Sequence, residues 1–313
     1  MAIDLQYLML LQNFRNATGG ILNAFFVNIS TWGVPPLITF ITMSIYWVLD
    51  KELGQSLLFG LHGCFFVNGV LKLTACVYRP WIRSSDIVPV TKASGYSFPS
   101  AHTTGATATY GTLAYHYRRQ KTLFVLFLCL IFLIMFSRNY LGVHTPEDVA
   151  VGFLSSVLVI YIMYRLRMWA EKGSNRDLIL FAASVVIVVL ALVYFAVKSY
   201  PRDLGVDGKL VVDPAEMMPD SYLGCGGLLG MLLGWIVERR FIKFSTNSSS
   251  VVKVKRFVVG ILLVVLVNTV LDKVLVGLGK NWGHFVFQFL SLFIYVAVYP
   301  AIFNKLEVSK KAV

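Results

Sequence analysis

The chain has 313 residues, of which 57% are hydrophobic and only 14% charged, with a formal net charge of +12. Recurrent apolar runs of this kind exclude an ordinary soluble protein and predict a polytopic helical membrane protein, because a crossing helix needs about 20 apolar residues. A membrane β-barrel is excluded as well: Leu178 to Val197 is continuously apolar, without the alternation a barrel strand requires. In a membrane protein the positive charge reads as basic loops that hold topology, not as a nucleic-acid surface. Cys64, Cys76, Cys129 and Cys225 stand singly in apolar segments and read as core residues.

In chain order, Asp4 to Arg15 carries apolar side chains at Leu5, Leu8, Met9, Leu11 and Phe14 and is too short and polar to cross, so it predicts an interfacial amphipathic helix. A first span is expected from about Val34 to Leu49, with Pro35 and Pro36 in its first turn, and a second from about Leu53 to Val77, ending at Arg79-Pro80. A hairpin follows, Ser100 to Tyr117 and Leu123 to Phe136, with Arg118-Arg119-Gln120-Lys121 at its tip. Its open ends return to one side, so His102 and Arg138 are expected at similar depth. Spans at Val149 to Tyr164 and Leu178 to Val197 complete a group of six. After a polar connector, Lys198 to Pro219, three more are expected: Leu223 to Val237, Phe257 to Leu271 and Trp282 to Phe303. The expected organisation is therefore an N-terminal segment (1–32), a six-helix unit (33–198), the connector (199–219) and a three-helix C-terminal extension (220–313). Gly226, Gly230 and Gly234 recur every fourth residue, which lets another helix approach closely.

Loop charge orients the chain. Lys51, Arg118, Arg119, Lys121, Arg165, Arg167, Lys172, Arg176, Arg239, Arg240, Lys243, Lys253, Lys255 and Arg256 fall on one side, as do the C-terminal Lys305, Lys310 and Lys311, against a sparser set on the other. The richer side is expected to be cytoplasmic, which places the N-terminus outside and the polar cluster described next on the extracytoplasmic face, with a bacterial cytoplasmic membrane as the expected host membrane.

That cluster combines Lys72, Arg79, Ser100, His102, Arg138, His144 and Asp148, groups that are costly at membrane depth. Lys72 and Arg79 are nearly two helical turns apart and share one face. With Arg138 they make three cations without matching acids, a set that calls for an anion, and phosphate suits a guanidinium fork beside an ammonium. Ser100-Ala101-His102 opens a helix after Pro99, where free backbone N–H groups favour an anion; the Ser100 hydroxyl either caps that helix or donates to the ligand. His144 precedes Thr145-Pro146-Glu147-Asp148, itself a helix start. Asp148 serves a capping box there, yet it also lies one turn from His144 and can hold one ring nitrogen while the other attacks. A histidine nucleophile beside a phosphate pocket implies a phosphohistidine, and His102 is the acid the departing alkoxide needs. Fixed positive charge supplies most of what phosphoryl transfer requires, so neither a metal nor another cofactor is expected.

The spacing Lys72-x6-Arg79-Pro80, Pro99-Ser100-Ala101-His102 and Ser137-Arg138-x5-His144-x3-Asp148 resembles the three-part signature of the type 2 phosphatidic acid phosphatase superfamily. The resemblance implies a six-helix core from roughly Val34 to Val197, with His144 as nucleophile, Asp148 orienting it and His102 protonating the leaving oxygen. It also implies that Lys72, Arg79, Ser100 and Arg138, with the backbone at Ala101, hold the phosphate. The family usually has glycine where this chain has Ala101, a change that would cost alanine about 1 kcal/mol if the backbone there were left-handed.

The expected function is hydrolysis of a lipid phosphate monoester or pyrophosphate, with the lipid substrate and the surrounding membrane lipids as partners. A lipid phosphotransferase and a non-catalytic phospholipid transporter or flippase are the alternatives. His62, His116 and His284 read as structural, and Asp220, Glu238 and Asp272 as helix-end residues that are solvated or capping.

Overall fold

The computed structural model describes residues 2–32, 35–205 and 208–309. Val34, Lys310 and Lys311, which entered the readings of the first span and of loop charge, lie outside the described residues, as does the side chain of Asp272. The described chain is helical, with a single isolated β-bridge between Leu204 and Leu210.

Two short helices lead in: α1 (Ile3–Ala17) and α2 (Asn23–Thr31). The first matches the expected amphipathic segment. Its Asp4 pairs with Arg83 at 2.7 Å, and Arg15 donates to the carbonyls of Tyr140 (3.1 Å) and Val88 (2.6 Å), so its polar side is tied to loops above the bundle. No helix was expected at α2, whose nine residues show no clear periodicity; it forms because Phe26 and Ser30 bury against the end of a later helix.

The long helices follow. First comes α3 (Pro35–Ser44), continued by one π turn (Ile45–Leu49), then α4 (Lys51–Ala75), capped by the Asp50 side chain. After the single turn α5 (Pro80–Arg83), a broken helix consists of α6 (Ala101–Ala106), a π turn (Thr107–Gly111) and α7 (Thr112–His116). Then come α8 (Lys121–Tyr140), α9 (Pro146–Glu171) and α10 (Arg176–Val197). The C-terminal part holds α11 (Pro214–Val237), α12 (Ser250–Leu275), α13 (Lys280–Phe293) and, after a π turn at Ile294–Val298, α14 (Tyr299–Ser309).

Each expected span thus coincides with a helical stretch, and seven of the described helices are long and apolar enough to cross a membrane. The first expected span is a shorter apolar helix, Leu37–Leu49. The third, α6 to α7, falls below that length and carries buried Thr103, Thr104, Thr107, Thr109 and Thr112, because it faces protein and not lipid. At the connector the expected boundary moves. The helix begins at Pro214 and not near Leu223, since Asp213 caps it by accepting from the Ala215 N–H at 2.8 Å and Pro214 occupies its first turn.

Helices α4 and α11 form the centre of the bundle, most of their residues being buried, while α12 lies on the periphery. The glycine ladder explains the tight contact of α11 with α13. A Cβ at Gly226 would fall 2.0 Å from the Phe285 carbonyl oxygen, and one at Gly230 would fall 2.3 Å from that of Phe289. Gly230→Ala must push the two helices apart; an expected loss of about 1–3 kcal/mol, read as a lower Tm in detergent, checks this packing.

The end of the bundle near Lys51 is laced with ion pairs: Lys51–Glu238 (2.5 Å), Arg239–Asp177 (2.7 Å), Arg240–Asp177 (2.5 Å) and Arg256–Glu307 (2.6 Å). Glu238 stands at the end of α11 as expected, but it is buried against Lys51 and accepts from the Phe244 N–H at 3.1 Å, so it is not solvated. The catalytic candidates lie at the opposite end.

Candidate active site

Four helix ends meet there: the C-terminal ends of α4 and α8 and the N-terminal ends of α6 and α9. Two helix N-termini facing one place supply free N–H groups and positive dipole ends to an anion. Close approach of backbone sets the geometry. A Cβ at Gly152 of α9 would come within 3.1 Å of the Ser100 carbonyl oxygen, and the Ser100 N–H donates to the Asp148 carbonyl at 3.0 Å, so the α6 entrance is seated directly on α9. Between α8 and α9 the chain turns through Gly142 at φ 72°, a left-handed conformation natural to glycine.

The structure brings together all eight residues singled out in the sequence. Arg79 is nearly buried and fixed by backbone acceptors: its Nε donates to Gly95 O (3.1 Å), Nη2 to Ser94 O (2.9 Å) and Nη1 to Val143 O (3.1 Å). The same Nη1 lies 3.0 Å from His144 Nε2. Lys72 donates to the carbonyls of Tyr96 (3.3 Å) and Pro99 (3.1 Å). Arg138 reaches the same space from α8 and donates to the Ser30 hydroxyl.

Asp148 makes both of the contacts expected of it. Its Oδ2 accepts from the Thr145 N–H at 2.8 Å, closing a capping box, and lies 3.3 Å from His144 Nδ1. One ring nitrogen of His144 thus faces a carboxylate and the other faces the cations. Burial, reinforced by Arg79, Arg138, Lys72 and His102, holds the His144 imidazole well below the ordinary histidine range and so favours the uncharged ring. His102 lines the cavity without a hydrogen-bond partner among the described residues.

Ser100 proves to be the cap: its hydroxyl accepts from the Thr103 N–H at 3.4 Å, and the side chain is buried. Ala101 begins α6 in helical conformation, and among the described residues the non-glycine positions with positive φ are Cys76 and Lys243. Alanine therefore carries no left-handed penalty at this position.

Several contributors were not singled out in the sequence. The Ser97 hydroxyl donates to Asp148 Oδ2 and sits 3.3 Å from His144 Nδ1, completing the support on that side of the ring. Asn139 Nδ2 holds the His144 carbonyl at 2.9 Å, and Asn68 Nδ2 bonds Thr104 Oγ1 at 2.9 Å. Asn68 lies one turn before Lys72 on the same helix face, and Asn139 directly follows Arg138, so both had a positional signal. Neither Ser97 nor Ser30 had one.

Asn68, Lys72, Arg79, His102, Arg138 and His144 line a cavity of about 840 Å³. From Lys72, Arg79, His102, Arg138 and His144 it runs down α4 past Asn68 to His62, and its far wall is built by α11 and α13 through Asp220, Ser221, Gln288 and Ser291.

Three cations and two histidines, one of them backed by a carboxylate, thus converge on one cavity at the end of an apolar helix bundle. The sequence comparisons place it further. Residues 54–172 match the PAP2 superfamily and residues 222–311 match the PAP2 superfamily phosphatase transmembrane extension, and this chain belongs to that superfamily. It is 28% identical over 206 residues to a probable sphingosine-1-phosphate phosphatase of Dictyostelium discoideum, covering 61% of this chain and 48% of that protein. It is 30% identical over 107 residues to phosphatidylglycerophosphatase B of Bacillus subtilis, covering 31% and 53%. Over 269 residues it is 26% identical to sphingosine-1-phosphate phosphatase 1 of Mus musculus, covering 79% and 56%. The chain spans about half the length of these relatives. No solved structure matches it with comparable significance.

Proposed function

We propose that this protein is a membrane phosphatase that hydrolyses the phosphate monoester of a lipid through a phosphohistidine at His144. The observation that carries the reading is the division of the His144 ring, with Nδ1 toward Asp148 and Ser97 and Nε2 toward Arg79 inside a cavity lined by three fixed cations. In the first step the Nε2 lone pair attacks phosphorus, the bond to the lipid oxygen breaks, and His102, protonated as the phosphate dianion enters, delivers that proton to the leaving oxygen. Asp148 stabilises the positive charge that develops on the ring, as Lys72, Arg79 and Arg138 stabilise the spreading negative charge on phosphate. In the second step His102 takes a proton from water as the water oxygen attacks phosphorus, and the N–P bond breaks to return His144 and inorganic phosphate.

The same reading includes nine crossings, with the first six as the catalytic core and the last three as an extension, and an extracytoplasmic site at the level where a lipid head group can enter while its tails stay in the bilayer. Helix α1 then lies along that interface. The relatives named for sphingosine-1-phosphate and phosphatidylglycerol phosphate support a lipid monoester over a soluble one.

Phosphate release by the purified protein in detergent tests this, using a panel of lipid phosphates beside a sugar phosphate, each with excess chelator. Release from lipids that chelator does not reduce is expected, because the charge is supplied by side chains. Release only from the sugar phosphate, or release that chelator stops, would contradict the reading.

A further inference from the structure

Arg138 is held differently from the other two phosphate cations. Arg79 is fixed by three carbonyls and Lys72 by two, whereas the acceptor that Arg138 finds among the described residues is one neutral hydroxyl, that of Ser30 on α2. Both side chains are buried, and Arg138 Nε has no partner among the described residues. Helix α2 lies outside the residues matched to the superfamily, 54–172 and 222–311, yet it is fixed at both ends. The Tyr140 hydroxyl donates to Asn23 Oδ1 at 3.2 Å, and the Tyr110 hydroxyl donates to the Trp32 carbonyl at 3.1 Å. Phe26, one turn before Ser30, packs on Tyr140 and Phe136 of α8, with ring centroids 4.3 and 5.4 Å away. Ser30 is therefore presented to Arg138 by a firmly seated helix.

A buried guanidinium is costly, and a fold that needed only to neutralise it would set a carboxylate against it. A carboxylate would also occupy the fork and repel phosphate. A hydroxyl accepts from one N–H and leaves the charge uncompensated. Because the guanidinium is planar, fixing one N–H also fixes the plane and direction of the whole fork. We propose that Ser30 is a positioning residue for phosphate binding, holding the Arg138 fork at the cavity without neutralising it. The N-terminal segment then contributes to a site whose other members come from the superfamily core. This rests on the reading of the cavity as a phosphate site and extends that site to α2. Without the hydroxyl the fork samples other rotamers and must be ordered again when the anion enters, which weakens binding.

The test is binding of inorganic phosphate to the full chain in detergent, followed by titration calorimetry, with hydrolysis of a lipid phosphate measured in parallel. Ser30→Ala is expected to bind phosphate about tenfold more weakly, the lower end of what a hydrogen bond to a charged group contributes. Alanine is the better helix former, so α2 persists in this variant. Ser30→Thr keeps the hydroxyl and is expected to stay within about threefold of the wild type. In an Arg138→Ala background, Ser30→Ala is expected to change binding by less than about twofold, because the partner through which it acts is gone. Equal weakening by alanine and threonine, the same loss in the absence of Arg138, or unchanged or tighter binding by Ser30→Ala would each overturn the inference. If the expected pattern of binding holds but no lipid phosphate is hydrolysed, the phosphatase reading fails while the role of Ser30 stands. Absence of phosphate binding by the wild type overturns both.

Discussion

Replacing His144 by alanine is expected to lower kcat for lipid phosphate hydrolysis by about 10⁴-fold or more while leaving lipid binding and the fold in place. The size of the effect follows from the role: without the imidazole the cavity has cations and donors but no group positioned to accept the phosphoryl. Binding survives because Arg79 keeps its bonds to Gly95, Ser94 and Val143, and Lys72 its bonds to Tyr96 and Pro99. Activity assays paired with equilibrium binding of the lipid phosphate separate the two. Loss of both together would make His144 a binding residue.

His102→Ala is expected to cost about 10²- to 10⁴-fold on an alkyl phosphate, the usual contribution of a positioned acid. The loss should shrink to a few-fold on a nitrophenyl phosphate, whose leaving oxygen departs without needing a proton. Because His102 has no hydrogen-bond partner among the described residues, its removal should leave Tm nearly unchanged. Equal losses on both substrates would contradict its role as the acid.

Much of this site was legible because its residues sit at helix ends, where sequence punctuation is strongest. Pro80, Pro99 and Pro146 each mark such an end, and the spacings from Lys72 to Arg79 and from His144 to Asp148 place each pair on one face. The helix order was likewise legible from apolar runs. What remained hidden depends on long-range contact. Ser30 meets Arg138 only because α2 folds back over α8, and Ser97 meets Asp148 only because the 84–100 loop returns over α9. Asp220 looked like a helix end because the polar stretch before it reads as a connector; the Asp213-Pro214 start signal already marks it as helix. Ala101 reads as a departure from family pattern, yet its backbone is ordinary helix, so the substitution has no conformational cost.

The central claim is that phosphate passes through His144. Its most direct test is to mix the protein with a radiolabelled lipid phosphate, quench within a single turnover and follow the label. The account predicts label bound covalently to the protein, stable to alkali and released by acid as a phosphoramidate should be, mapped to the peptide containing His144 and absent from His144→Ala. Turnover without any bound label, or label on another residue, would contradict it.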